Sequence, residues 1–311
     1  MDRFTTLISL CLLSGALLLL QGTAFAGSAG SPRTLGLNRA YMETLIPGRN
    51  DFSGYRSMRD SEPSNIVLDA GGENPSGYLY SKIVRAWKAT SGPVPVIRVD
   101  CTVNIDAANV RKWMDTRGRQ VPPKPGSIFG SRIGDLCQSA NFGQQAMLEF
   151  VVGRVFVTVS VFALSDADLL CEGLAYSMEH RLRQKRELFA DAKFDAPPKV
   201  LVDGTESTTT KVLTYNDTTW SPVSLFKSLG AKVTTDQKSG ATTITFGEHK
   251  LVVKPFQREL LVDGKPQKLA VPVVMGQGEL VLPLKPVAEA LGIKTKFEGK
   301  ERILLTTPKK A

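Results

Sequence analysis

Histidine is nearly missing from this sequence. The chain has 311 residues and 2 histidines, His180 and His249, far apart in the chain. A His-rich metal centre is therefore not expected, because copper and zinc sites of that kind need several imidazoles that converge. Cysteine is scarce too, with Cys11, Cys101, Cys137 and Cys171. Cys101, Cys137 and Cys171 are spaced by 36 and 34 residues, which fits no zinc pattern. There is no HExxH, no GxSxG elbow, no P-loop and no GxGxxG after a strand. Basic residues never run to five in a row, which argues against specific nucleic-acid reading.

What charge there is leans positive. Lys and Arg number 39 against 30 Asp and Glu, a net +9. Residues 197–311 hold 17 basic and 11 acidic residues, so about a third of the length carries +6 of that excess. Such a thin, spread surplus favours loose adhesion to anionic polymers.

Met1–Ala26 has the pattern of a secretory signal. Arg3 supplies a positive start, Leu7–Leu20 is an almost unbroken apolar stretch, and Ala24-Phe25-Ala26 places small residues where a signal peptidase reads. Fourteen residues fall short of the ~20 that span a hydrocarbon core. Cleavage is expected after Ala26, with export and no further membrane span; an uncleaved anchor is the alternative. Removal of Cys11 leaves three cysteines in a compartment that permits disulfides. At most one bridge can join a pair among Cys101, Cys137 and Cys171; buried reduced thiols are the other reading.

Residues 27–77 are rich in Gly, Ser, Pro, Arg and Asn and are expected to form a flexible linker or arm. From Tyr78 to Ala192 the pattern is that of an α+β domain. Ile97, Val99, Cys101, Val103 and Ile105 alternate with Arg98, Asp100, Thr102 and Asn104, which predicts a strand with one wet face. A helix to about Thr116 follows, then strands at 128–139, 147–152 and 155–162, with Gly153-Arg154 as a hairpin turn. A long helix over 167–189 shows Leu170, Leu174, Met178 and Leu182 at four-residue steps. The order is βαβββα, with both helices expected on one face of the sheet. Residues 193–199, with Pro197-Pro198, form a hinge.

An internal repeat occupies residues 200–311. Leu201-Val-Asp-Gly204 recurs as Leu261-Val-Asp-Gly264, 60 residues later. Ser221-Pro222-Val-Ser-Leu-Phe-Lys-Ser-Leu229-Gly230 is answered by Leu282-Pro283-Leu284-Lys285-Pro286 through Glu289-Ala-Leu291-Gly292. Each copy, about 200–255 and 260–307, predicts a hairpin, a second turn, one Pro-opened and Gly-closed helix, and two strands. Pro286 suggests that the second helix begins at that residue. The fold class is thus an α+β domain followed by a duplicated β-rich unit with one helix per repeat.

On these motifs the C-terminal third resembles the copper amine oxidase N-terminal-like or stalk domain, found on many exported bacterial proteins. Val262-Asp263-Gly264 fits its hairpin, and Pro283-Leu284-Lys285 with Glu289-Ala-Leu291-Gly292 fits its helix. Pro222, Leu229 and Gly230 form the weaker first match. Lys285 and Ser224 replace the family's usual Arg, and Phe297-Glu298 and Thr235-Asp236 its usual Trp-Asp. The resemblance implies a spacer or adhesion module, away from any catalytic centre and without copper.

No residue stands out as catalytic. His180, beside Glu179 and Ser177 on a basic helix stretch, is expected to be solvated, since a general base needs a cleft and an oriented partner. Cys171 flanks the apolar stripe and is expected to pack. Asp69, Asp100 and Asp106 are scattered acids on turns and a wet face. The reading is a non-catalytic, exported, envelope-associated binding or adaptor protein, with no cofactor or metal. Its partners are anionic envelope polymers or an envelope protein, with no specific nucleic acid. The alternative is a ligand-sensing domain, or an enzyme or enzyme subunit, with its site in residues 78–192. A polar groove would favour that alternative, a flat polar sheet face the binding reading.

Overall fold

β-Branched and aromatic side chains dominate residues 80–162, and they build a broad antiparallel sheet. The computed structural model describes residues 35–48, 58–60, 65–70, 80–89, 95–104, 107–120, 124–125, 128–130, 132–141, 145–162, 166–189, 197–207, 211–236, 239–276 and 278–308. The signal-like segment, most of the hinge, Asp106 and the chain end lie outside them. A helix, α1 (Arg39–Leu45), precedes strands β1 (Met58–Asp60), β2 (Asn65–Ala70), β3 (Tyr80–Ala89) and β4 (Pro95–Asn104). After helix α2 (Ala107–Gln120) come β5 (Lys124–Pro125), β6 (Leu136–Asn141), β7 (Gln145–Val152), β8 (Val155–Phe162) and the long helix α3 (Ala167–Arg183). The sheet runs β1-β3-β4-β8-β7-β6-β5, with β2 also paired to β3.

Register decides which side chains share a face. Ile97, Val99, Cys101 and Val103 lie opposite Val161, Val159, Val157 and Val155, and all eight are buried. α3 packs on this face against β7 and β8. Val151 and Phe156, themselves a cross-strand pair, point the other way and pack with Val110 and Met114 of α2. Trp113 stacks on Phe156 at 5.3 Å. The two helices therefore cover opposite faces, which corrects the expectation of one shared face. β7 and β8 carry apolar residues on both faces near their shared turn, and Val151 and Phe156, within a continuous apolar run, supply the second face that α2 covers.

The remaining strands form three smaller sheets. The first half supplies β9 (Lys199–Val202), β10 (Thr205–Glu206), β11 (Leu213–Tyr215), β12 (Thr218–Pro222), α4 (Val223–Ser228), β13 (Lys232–Thr235), β14 (Thr242–Phe246) and β15 (His249–Val253). The second supplies β16 (Glu259–Val262), β17 (Lys265–Lys268), β18 (Val274–Gly276), β19 (Glu279–Pro283), α5 (Leu284–Ala290), β20 (Lys294–Glu298) and β21 (Arg302–Thr306). The sheets are β10-β9-β21-β20, β11-β12-β19-β18 and β13-β14-β15-β16-β17, so every one mixes strands of both halves. Trp220, Ser221 and Pro222 pair with Pro283, Leu282 and Val281. An offset of 61 exchanges the members of these pairs, so β12 and β19 meet about a local two-fold. β15, unanticipated in sequence, breaks that symmetry: it separates β14 from β16, whereas β21 pairs directly, and in parallel, with β9.

Turn chemistry explains the two leading hairpins. Asp203-Gly204 and Asp263-Gly264 both hold positive φ at both residues, the requirement of a two-residue type I′ turn. β12 and β19 run straight into α4 and α5, with Pro222 and Pro283 at the N-cap positions. Helix α5 begins before Pro286, not at it. Pro286 is its third residue, where the backbone N–H has no intrahelical acceptor to lose.

Apart from the small cluster under α2, one apolar core joins the first sheet to the C-terminal sheets, from Met42 and Trp87 through Leu174 to Leu225 and Val287. Thr34–Ala311 form one compact unit. Within residues 27–77, expected as a flexible arm, α1 is instead anchored. Asn38 caps it by accepting from the Tyr41 N–H at 2.9 Å, and Met42, Leu45 and Ile46 are buried. Arg85 and Arg181 donate to the carbonyls of Pro47 and Thr44, at 2.9 and 3.4 Å. Three apolar residues among Gly, Pro and Arg look sparse in sequence, yet together they suffice to seat two turns. Met42→Ala should therefore destabilise the protein by about 2–5 kcal/mol in denaturant unfolding; a loose arm would show no change.

Candidate functional site

Helix α3 is buried on two sides. Leu170, Cys171, Leu174, Met178 and Leu182 face the first sheet, as their spacing predicts. The other stripe holds Glu172, Gly173, Tyr176, Ser177, His180 and Arg183, and the C-terminal region covers it. His180 is only 2 % exposed, which corrects the expectation of a solvated side chain. Its Nδ1 lies 3.2 Å from the Tyr215 hydroxyl and its Nε2 3.1 Å from the Gln184 side-chain amide. A neutral imidazole satisfies both contacts, donating at one nitrogen and accepting at the other. Burial, helped by Arg181, pushes its pKa down to about 3.

Next to it, Glu179 is wholly buried. Its Oε1 accepts from Arg183 at 3.0 Å and from the Asn216 amide at 2.8 Å. Burial raises the Glu179 pKa, with Arg183, the Gly134 N–H and Asn216 opposing that rise. Arg183 also donates to Asp135 Oδ1 at 3.1 Å, and Asp135 Oδ2 accepts from the Gly153 N–H at 2.7 Å. A continuous polar chain thus links the β7–β8 turn to the tip of the β11–β12 hairpin. Near the start of α3, Glu172 accepts from Arg258 at 2.6 Å and from the Phe129 N–H at 3.2 Å. Between these two pins, Ser177 Oγ accepts from the Met275 N–H at 3.0 Å.

The sequence-chosen motif residues sit elsewhere. Val262 ends β16, and Asp263 accepts from the Lys250 N–H at 2.7 Å and from His249 at 3.1 Å. Leu284, Val287 and Leu291 are buried, while Lys285 and Glu289 are exposed. Leu229 and Gly230 close α4, and Leu291 and Gly292 close α5. These residues build hairpins and helix ends; the structure does not bring them together at one point. Glu279 crosses between halves and accepts from the Ser224 N–H at the start of α4, at 2.7 Å.

Hairpin, turn, strand and helix now stand in order twice over, around one shared central sheet. Residues 201–306 match the copper amine oxidase N-terminal domain. That match runs through both halves of the C-terminal region as a single stretch. Comparison of the chain with curated proteins and with solved structures finds no match.

Cys101, Cys137 and Cys171 are free, and burial pushes all three thiols up. Cys171 contacts the Val159 carbonyl inside the core. Among the described residues no group of three or more His, Cys, Asp or Glu could hold a metal ion. None of the described helices is long and apolar enough to cross a membrane.

A second polar feature lies on the α2 side of the first sheet. Asp100 pairs with Arg98 at 2.8 Å and Lys82 at 3.0 Å. Burial works against its charge, but these two cations win and hold the carboxyl below its usual range. Beside it in register are Thr158, Glu149 and Gln138, with Glu149 accepting from Gln138 at 2.6 Å and Thr158 at 3.2 Å. This is a row of paired polar groups across four strands.

His180 makes the interface sensitive to acid. Its ordinary pKa is 6.5, so the unfolded chain takes up a proton below that value while the folded chain resists until about pH 3. Its stabilising effect is complete above pH 6.5 and falls with pH below it, by at most about 1.4 kcal/mol per unit. Glu179 acts with the opposite sign, losing stability as pH rises above its ordinary 4.5, so the two must be separated. Urea unfolding from pH 7 to 4 should show a shallower decline in His180→Gln than in the parent; parallel curves would contradict this.

Proposed function

We propose that this protein is an exported, non-catalytic, envelope-associated binding or adaptor protein. The copper amine oxidase N-terminal domain serves as its adhesion and spacer module, and the first sheet as its partner module. The apolar leader with its Ala24-Phe-Ala26 site supports export. The observation that carries the adhesive reading is the placement of lysine on sheet margins. Lys232 on β13, Lys265 and Lys268 on β17, and Lys294 and Lys296 on β20 are exposed, and each of these strands is the margin of its sheet. Lysine there also blocks edge-to-edge aggregation. On an exported protein the same residues meet anionic wall or headgroup polymers. The internally paired Lys82–Asp100–Arg98 group on the first sheet suits a polar partner surface.

Binding of this kind weakens as salt rises, because exposed charges are screened beyond about 8 Å at physiological ionic strength. The full mature chain should co-sediment with envelope material at low salt and be released as salt increases. A variant with Lys265, Lys268, Lys294 and Lys296 changed to Gln should be retained less at every salt concentration. Retention indifferent to salt and to these substitutions would defeat the adhesive role. N-terminal sequencing of the secreted form should begin at Gly27; recovery of the intact leader on cytoplasmic protein would defeat export.

A further inference from the structure

We infer that the copper amine oxidase N-terminal domain of this chain is a helix clamp, and that its ligand is α3. Gly173, Ser177 and His180 stand at i, i+4 and i+7, so they share one face of α3. Each meets a different piece of that domain. At Gly173 the backbones come so close that an added Cβ would meet Phe256 Cα at 2.7 Å and its Cβ closer still. Ser177 receives the Met275 N–H of β18, an outer strand of its sheet that pairs with β19. His180 lies between Tyr215 and Gly276, where a Cβ on Gly276 would meet the imidazole at 3.0 Å.

These contacts together read a helix with a small residue, a hydroxyl acceptor and a neutral imidazole in that spacing. The groove is composite: Tyr215, Asn216 and Trp220 come from the first half, Met275 and Gly276 from the second, and Arg258 from the link between them. Tyr176 packs its ring on Trp220, with centroids 5.8 Å apart. Phe256 holds φ at 65°, a conformation uncommon for a bulky side chain, with its N–H on the Val273 carbonyl at 2.7 Å. That strained residue is the one pressed against Gly173. The Glu172–Arg258 contact pins the helix just before Gly173, and the Glu179–Asn216 contact pins it between Ser177 and His180.

A clamp closed on a helix that also carries the core of the first sheet makes the two regions open together. Native-state hydrogen exchange on the full chain tests this, because amide protection reports the free energy of the opening that exposes each segment. Core amides of β7 and β8 and those of β12 and β19 should share one opening transition in mild denaturant. Ser177→Ala should lower protection in both sets alike, by about five- to tenfold. Gly173→Ala should lower both by roughly ten- to hundredfold. If Gly173→Ala fails to fold, Ser177→Ala decides the matter. Separate transitions, a fall confined to one region, or unchanged protection in Ser177→Ala would overturn the clamp.

Discussion

A helix that buries two carboxylates, a guanidinium and an imidazole obliges the rest of the chain to come to it. Without partners, Glu172, Glu179 and His180 could not leave water, nor Arg183 be half-buried, because an unpaired charge or polar group in the interior is costly. Each finds one in a separate element: Arg258 ahead of β16, Asn216 at a hairpin tip, Asp135 before β6, Tyr215 on β11. Satisfying α3 therefore fixes where the C-terminal sheets stand against the first sheet. Ordinary apolar packing on the opposite side of the same helix then links both regions into one core.

The C-terminal domain solves a related problem within itself. No half forms a sheet alone, since every sheet draws strands from both. Its two short helices pack across the central β12–β19 pair, and Glu279 of one half supplies the acceptor that the start of α4 lacks. Matching the copper amine oxidase N-terminal domain as one stretch fits this mutual dependence. Lysine recurs among the residues exposed at the sheet margins, at 232, 265, 268, 294 and 296, where its charge opposes pairing with further strands.

Much of this was legible in the sequence. The Asp-Gly turns, the Pro-to-Gly helices and the alternation of Ile97 to Val103 all correspond to elements in the structure, because each signal is local. Other features were not, and three of them are instructive. α1 rests on Met42, Leu45 and Ile46, too few to rise above their polar neighbours. β15 has no counterpart in the second half, so reading by repeat passes over it. The polar stripe of α3 looks like a water-facing surface, and only the partners, 35 to 98 residues away in sequence, make it an interior. Gly173 was the one available hint, since glycine within a helix sacrifices stability unless something must approach closely.

The parallel pairing of β9 with β21 bears on how the chain is made. β9 is the first strand of the C-terminal domain and β21 the last; Lys199 aligns with Arg302 and Val202 with Leu305. Among the described residues the other strand neighbour of β9 is the two-residue β10. During synthesis β9 emerges from the ribosome about a hundred residues before its partner exists, and closing so long a loop is slow. The β10-β9-β21-β20 sheet, with Thr307 fastened to Asp203 by a 2.9 Å hydrogen bond, is thus the last to close. Until Thr306 is released, the newborn chain carries an open strand at the very junction of its two regions, and a chain that stops before Arg302 keeps it open for good.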